Sequence, residues 1–175
     1  MKNCAKCLIL LLLVISLSCD EQAKKQPNPV SKQEMKSSME TANRYLLNEE
    51  EEDISNYVKR HGLDMKSTGT GLRYQILKKG SDRLIEKGQE VTLEYELHSI
   101  AGDLIYSSEN DGFKRFVVGN GEVETGLEEA MTYLHLGDVA KVIIPFHLGY
   151  GLHGDDNKIP EYSTLIYTIK IIDNK

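Results

Sequence analysis

Residues 88–97 read GQEVTLEYEL, and this stretch decides the fold class. Gly88-Gln89 forms a turn. Val91, Leu93, Tyr95 and Leu97 then alternate with Thr92, Glu94 and Glu96. Successive side chains of a strand point to opposite faces, so this alternation predicts a strand with one apolar and one polar face. Similar segments lie on either side. Leu72–Leu77 partly alternates. Ala101-Gly102-Asp103 is a turn before Leu104-Ile105-Tyr106. Phe116-Val117-Val118 is a short strand ended by Gly119-Asn120-Gly121. Gly137-Asp138 leads into Val139–Ile144, and a last strand runs over Thr164–Ile172. One segment has a different period: between Gly126 and Leu134, Leu127, Ala130, Met131 and Leu134 fall at helical spacing. Strands around one short helix predict an α+β domain, an antiparallel sheet with a helix over one face.

The preceding residues divide by composition. Residues 1–18 carry Lys2 and Lys6, an apolar run from Leu8 to Ile15, and small residues before Cys19. This is the pattern of a signal peptide, too short for a comfortable membrane-spanning helix. A small residue directly before a cysteine, after a leucine-rich run, resembles the bacterial lipoprotein box, although Ser16 stands where that box usually has leucine. The resemblance implies cleavage before Cys19, lipidation of Cys19 and attachment to a membrane; two or three acyl chains anchor stably where one does not. Residues 19–30 are polar with Pro27 and Pro29 and read as a tether. Residues 31–62 read as helical. Ser31 and Glu34 have capping-box spacing, Met35, Met39, Ala42 and Leu46 form one stripe, Ile54, Tyr57 and Val58 a second, and Gly62 is the stop. The stripes suit packing on the domain or pairing of two chains. The acidic run Glu49–Asp53 lacks the glycine-hinged spacing of a calcium loop and reads as a solvated helix start or an interhelical turn.

Composition excludes several functions. The net charge is -6, which argues against a nucleic-acid partner, since phosphate binding needs a basic face. The three cysteines, Cys4, Cys7 and Cys19, all precede the domain, so it holds neither a disulfide nor a cysteine metal site. His147 and His153 flank Gly149-Tyr150-Gly151 without helical metal-ligand spacing and read as an exposed loop. Gly119-Asn120-Gly121 lacks the remainder of a phosphate loop and reads as a turn.

The ordered pieces of residues 70–175 carry a family resemblance. Gly88-Gln89 to Tyr95, Gly102-Asp103 to Ser107-Ser108, Phe116 to Gly119, Gly126-Leu127-Glu128-Glu129-Ala130, Leu136-Gly137-Asp138, Ile144-Pro145 to Gly149-Tyr150-Gly151, and Ile159-Pro160 resemble, in order and spacing, the FKBP family of prolyl isomerases. With the lipobox and the helical lead-in, the chain is similar to the gliding-motility-associated lipoprotein isomerases of Bacteroidota. The resemblance implies a twisted antiparallel half-barrel wrapped on one short helix, with a proline pocket between them. It implies a pocket lined by Tyr95, Phe116, Val123, Leu127, Tyr150, Ile159 and Tyr167. It gives Glu124 a backbone amide that contacts the ligand and Tyr150 a hydroxyl that bonds the carbonyl preceding the proline. The implied substrates are X-Pro segments of exported proteins, and the implied location is the bacterial cell envelope, facing the periplasm. The alternatives are a chaperone that holds proline segments without turnover and a structural lipoprotein.

Such a pocket needs no cofactor or metal. Amide rotation faces a barrier of about 18–20 kcal/mol because resonance stiffens the C–N bond. The twisted amide has lost resonance and much of its dipole, so an apolar pocket disfavours the planar ground state relative to it. Each ~1.36 kcal/mol of that preference is worth tenfold in rate. Two positions depart from the family's pattern: Tyr106 stands where many members have aspartate, and Leu127 where many have tryptophan.

Overall fold

The computed structural model describes residues 31–172. The signal peptide of residues 1–18, Cys19, the tether of residues 19–30 and residues 173–175 lie outside the described residues. The chain divides into two compact units, one ending at Glu40 and one beginning at Thr41.

In the first unit, Ser31 and Glu34 form the expected capping box. The Glu34 amide donates to Ser31 Oγ at 3.2 Å, and the Ser31 amide donates to Glu34 Oε2 at 3.0 Å. They start helix α1, Lys32–Arg60. Met35 and Met39 are 54% and 66% exposed.

The second unit begins within α1. Its strands are β1 (Lys66–Ser67), β2 (Arg73–Lys78), β3 (Glu90–Ser99), β4 (Leu104–Ser107), β5 (Lys114–Val117), β6 (Val139–Ile144) and β7 (Leu165–Ile172). A short helix α2 (Ser108–Asp111) follows β4, α3 (Thr125–Met131) follows β5, and a 3-10 turn covers Phe146–Leu148. The strands form one seven-stranded antiparallel sheet in the order β1-β2-β6-β7-β3-β4, with β5 on the edge of β3. The expected fold class is present.

The alternation in β3 works as read: Val91, Leu93, Tyr95 and Leu97 are buried, and Glu94 and Glu96 are exposed. The face they share carries α3, whose Leu127, Ala130 and Met131 are fully buried with Leu134 just beyond. Gly126 lets α3 sit close, since a Cβ there would lie 2.4 Å from Ile144 Cγ2. Leu136-Gly137-Asp138 is a backbone clamp. The buried Asp138 carboxylate accepts from the Gly80 amide at 2.7 Å and the His135 amide at 2.9 Å. A Cβ at Gly80 would collide with Leu136 O at 2.3 Å.

The opposite face of the sheet is covered by the later half of α1. Ile54 and Tyr57 pack on Ile143 and Ile166, with Val58, Leu63, Met65 and Ile100 around them. The second stripe therefore packs on the domain, whereas the first stripe's Met35, Met39 and Ala42 are exposed. Gly62, in the left-handed region at φ 60, ends the helix, and the Leu63 amide donates back to Val58 O at 3.1 Å.

The acidic run differs from its reading. It is neither a helix start nor a turn but the middle of α1. Glu50, Ile54 and Tyr57 stand at i, i+4 and i+7, so Glu50 shares the inward face. Its carboxylate accepts from the Phe146 amide at 2.7 Å and from Thr164 Oγ1 at 2.6 Å. Burial pushes the Glu50 carboxyl up, and these two donors oppose that. Glu51 pairs with Arg73. Replacing Glu50 with Ala leaves the amide of buried Phe146 and the hydroxyl of buried Thr164 without this acceptor, which should cost about 1–3 kcal/mol. Glu50→Gln keeps an acceptor oxygen and should recover most of that stability in urea unfolding at neutral pH. Equal losses in both variants would contradict the clamp.

Candidate functional site

The site forms where β3 changes partner along one edge. Its first half, Glu90–Leu93, pairs with β5, and its second half, Glu96–His98, pairs with β4. Tyr95 lies at the gap. There the Ser108 side chain replaces a strand: the Tyr95 amide donates to Ser108 Oγ at 3.1 Å, and Ser108 Oγ donates to Tyr95 O at 3.3 Å. The other edge of β3 pairs with β7, Tyr95 opposite Ile169 and Leu97 opposite Tyr167. Tyr95 and Tyr167 are thus diagonal neighbours on the inner face, with ring centroids 6.0 Å apart.

The other residues of the expected pocket arrive from separate elements. Phe116 comes from β5, opposite Val91, and Leu127 from the first turns of α3. Ile159 comes from the loop before β7. Tyr95, Phe116, Leu127, Ile159 and Tyr167 belong to one buried cluster, and half-buried Val123 and Tyr150 pack against it. The residues read from the sequence therefore all belong to the domain's main core or its margin, with Tyr95 and Tyr167 in direct ring contact.

The resemblance gives Glu124 a backbone contact; the structure adds a set of side-chain contacts. Glu124 is the residue before α3, but its carboxylate does not cap that helix. It turns inward, with its side chain 3% exposed. Tyr167 Oη donates to Glu124 Oε1 at 2.7 Å. Lys114 Nζ donates to the two carboxylate oxygens at 3.3 and 3.4 Å and to Tyr167 Oη at 3.3 Å. Half-buried Tyr150 is near enough for its hydroxyl to feel the charge of this carboxylate. The Lys114 ammonium lies 5.6 Å from the centroids of both the Tyr95 and Tyr167 rings, within cation–π range. Sequence reasoning missed Lys114. The strand read from the sequence begins at Phe116, whereas β5 begins at Lys114, which puts Lys114 on the same face as Phe116.

These contacts set the charges. Burial alone would push the Glu124 carboxyl up, but the Lys114 ammonium and the Tyr167 and Tyr150 hydroxyls outweigh it and hold it below the ordinary range. Burial, then the neighbouring Glu124 charge, pushes the Tyr150 and Tyr167 hydroxyls far up, so both remain protonated donors. The site is an apolar cluster around one closed ion pair.

Tyr106 has its own partner. Its hydroxyl donates to Asp155 Oδ2 at 2.5 Å and accepts from Asn157 Nδ2 at 3.0 Å. Asp155 Oδ1 accepts from the Ile159 amide at 2.7 Å, so Tyr106 ties β4 to the loop that presents Ile159. Lys158 Nζ lies 4.6 Å from the centre of the Tyr106 ring and donates to Ile105 O at 3.2 Å. His147 is exposed, with Nε2 3.0 Å from Thr70 O, and His153 is exposed as well.

Comparison with known proteins agrees with this geometry. Residues 81–172 match the family described as FKBP-type peptidyl-prolyl cis-trans isomerase. The chain is 34% identical over 109 residues to a probable FKBP-type peptidyl-prolyl cis-trans isomerase FkpA of Neisseria meningitidis serogroup B, covering 62% of this chain. It is 32% identical over 91 residues to the human peptidyl-prolyl cis-trans isomerase FKBP9, covering 51% of this chain. It spans 39% of the length of the first protein and 16% of the second. The crystal structure of FkpA from Escherichia coli has a similar fold, with a TM-score of 0.60 at 23% identity, covering 82% of this chain and 73% of that one.

The depressed Glu124 carboxyl gives a pH signature. A carboxylate whose folded pKa lies below its unfolded value, about 4.3, adds stability above that value and loses it as pH falls through the folded pKa. Glu124→Gln should therefore be less stable than the parent chain at pH 7. The gap in urea midpoint should narrow below about pH 4, as the parent carboxyl protonates. A gap unchanged between pH 7 and pH 3 would show that the charge contributes nothing.

Proposed function

The chain belongs to the FKBP-type peptidyl-prolyl cis-trans isomerase family, and on that premise we propose that it isomerises X-Pro bonds in exported proteins. The observation that carries this reading is the gathering of Tyr95, Phe116, Leu127, Ile159 and Tyr167 into one apolar cluster, with Val123 and Tyr150 at its margin. A proline ring held there places its amide against aromatic and aliphatic surface. That surroundings favours the twisted amide over the planar one, and lowering the barrier by about 4 kcal/mol would give roughly a thousandfold. The Tyr150 hydroxyl supplies a donor to hold the flanking carbonyl.

The enzyme works in the bacterial cell envelope, facing the periplasm, attached through a lipid on Cys19. The charged start, the apolar run Leu8–Ile15 and the small residues before Cys19 support export and lipidation. Among the described residues no helix is long and apolar enough to cross a membrane. Similarity of the whole layout to gliding-motility lipoproteins extends the reading to clients of a motility apparatus. A second reading, a site that holds proline segments without turnover, is favoured by Tyr106, bonded to Asp155, at the position where many members carry aspartate.

In a protease-coupled assay on an X-Pro tetrapeptide, the full chain should accelerate isomerisation. Phe116→Ala should lower kcat/KM at least about tenfold, the worth of ~1.4 kcal/mol in the transition state. Protection of an unfolded client from aggregation without any acceleration would favour the holding reading instead. Separately, the full chain expressed in a bacterium fed labelled fatty acid should take up label and fractionate with membranes. Cys19→Ser should do neither, and equal labelling of both would remove the anchor.

A further inference from the structure

Residues 149–164, between the 3-10 turn and β7, contain neither helix nor strand. This segment carries Tyr150 near its start and Ile159 further on, and both belong to the expected pocket. Backbone groups without a ladder need other partners. Here one side chain serves several of them. Asp155 Oδ1 accepts from the Asn157 amide at 3.0 Å and from the Ile159 amide at 2.7 Å. The Asp155 amide in turn donates to Ile159 O at 3.1 Å. The chain doubles back tightly at this point: Gly154 has φ 71, and a Cβ on it would lie 2.0 Å from Ile159 O.

The second oxygen of Asp155 reaches the sheet. Oδ2 accepts from Tyr106 Oη at 2.5 Å, and that hydroxyl accepts from Asn157 Nδ2 at 3.0 Å. Lys158 Nζ lies over the Tyr106 ring and donates to Ile105 O at 3.2 Å. Among the described residues, every hydrogen bond that leaves residues 152–159 therefore ends on Ile105 or Tyr106. Both residues lie on β4, whose one partner strand is β3. Ile159 is 3% exposed and packs in the apolar cluster. Apolar burial is non-directional and does not by itself fix an isoleucine to one position. The carboxylate on its amide supplies the direction.

We propose that Asp155 is a positioning residue of the isomerase site: clamped to β4 by the Tyr106 hydroxyl, its carboxylate sets where Ile159 meets the proline ring. The kinetic form of this role rests on the isomerase reading; the clamp and its effect on peptide binding do not. Ile159 would border the ring in the planar and the twisted amide alike. A misplaced wall therefore removes binding common to both states, which raises KM and leaves kcat in place.

Tyr106→Phe deletes both hydroxyl bonds and keeps the ring beneath Lys158. In the full chain it should raise KM for an X-Pro tetrapeptide about fivefold, the scale of one hydrogen bond's net worth, with kcat held within about twofold. Asp155→Ala should raise KM at least as much. Adding Tyr106→Phe to it should cost nothing more, because the hydroxyl acts through the carboxylate. In each variant the Ile159 amide should exchange its hydrogen faster by NMR. Ile54→Ala, which weakens packing on the opposite face of the sheet, should leave KM unchanged and so separates positioning from lost stability. An unchanged KM in Asp155→Ala, costs that add in the double variant, or a loss confined to kcat overturns the proposal. If the parent chain shows no turnover, the isomerase reading fails, and the dissociation constant of a dye-labelled X-Pro peptide replaces KM. Binding weakened about fivefold in both single variants then upholds the clamp, and equal binding overturns it.

Discussion

The organising constraint is that β3 shares one edge between two partners. A strand offers one row of donors and acceptors per edge, so β5 and β4 must meet it in succession. The ladder is interrupted at Tyr95. An interruption on a buried strand leaves backbone groups to satisfy, and Ser108 satisfies both of them with one hydroxyl. Because the break comes between two edge strands, the chain around it is free to open outward as α2 and the loop to Lys114. The inner face of β3 stays continuous with β7. The site is thus set at a change of partner and floored by an unbroken strand pair.

Into that apolar floor the chain puts a lysine and a glutamate. A buried ion pair is weak evidence of stability, since desolvation can consume its Coulombic gain. Here the Tyr167 hydroxyl donates to the carboxylate at 2.7 Å, whereas the ammonium's own contacts are all 3.3–3.4 Å, so the negative end is better satisfied than the positive end. That asymmetry matters more than the pair's net worth, because it keeps one pole sealed and leaves the other reachable.

Much of this was legible in the sequence. The alternation of Val91, Leu93, Tyr95 and Leu97 and the spacing of Leu127, Ala130 and Met131 give the sheet face and the helix face that meet. The residues read as pocket lining do gather. What escaped was polar. Glu124 was read for its backbone amide and not for its carboxylate, Lys114 looks like a surface residue, and the stretch from Ser107 to Arg115 has no period to show which way Lys114 faces. Only the pairing of Lys114 with Leu93 fixes that direction. Glu50 was hidden within a run of acids, where composition suggests solvent; its spacing to Ile54 and Tyr57 was the better guide. Helix and strand ends moved by a residue or a few, as at Leu134, which falls in the turn after α3, because the last turns are set by local bonds rather than by apolar period.

The place of β7 in the sheet has a consequence for the order of synthesis. It is the last strand among the described residues and yet lies between β6 and β3, supplying partners to both. Until it emerges, β3 and β6 have bare edges facing one another, and Tyr167, the partner of both Tyr95 and Glu124, is missing. The domain therefore cannot assemble progressively from its amino end. Pairings so distant along the chain are slow to form, so the sheet closes only when its final strand slots between two others that are already waiting.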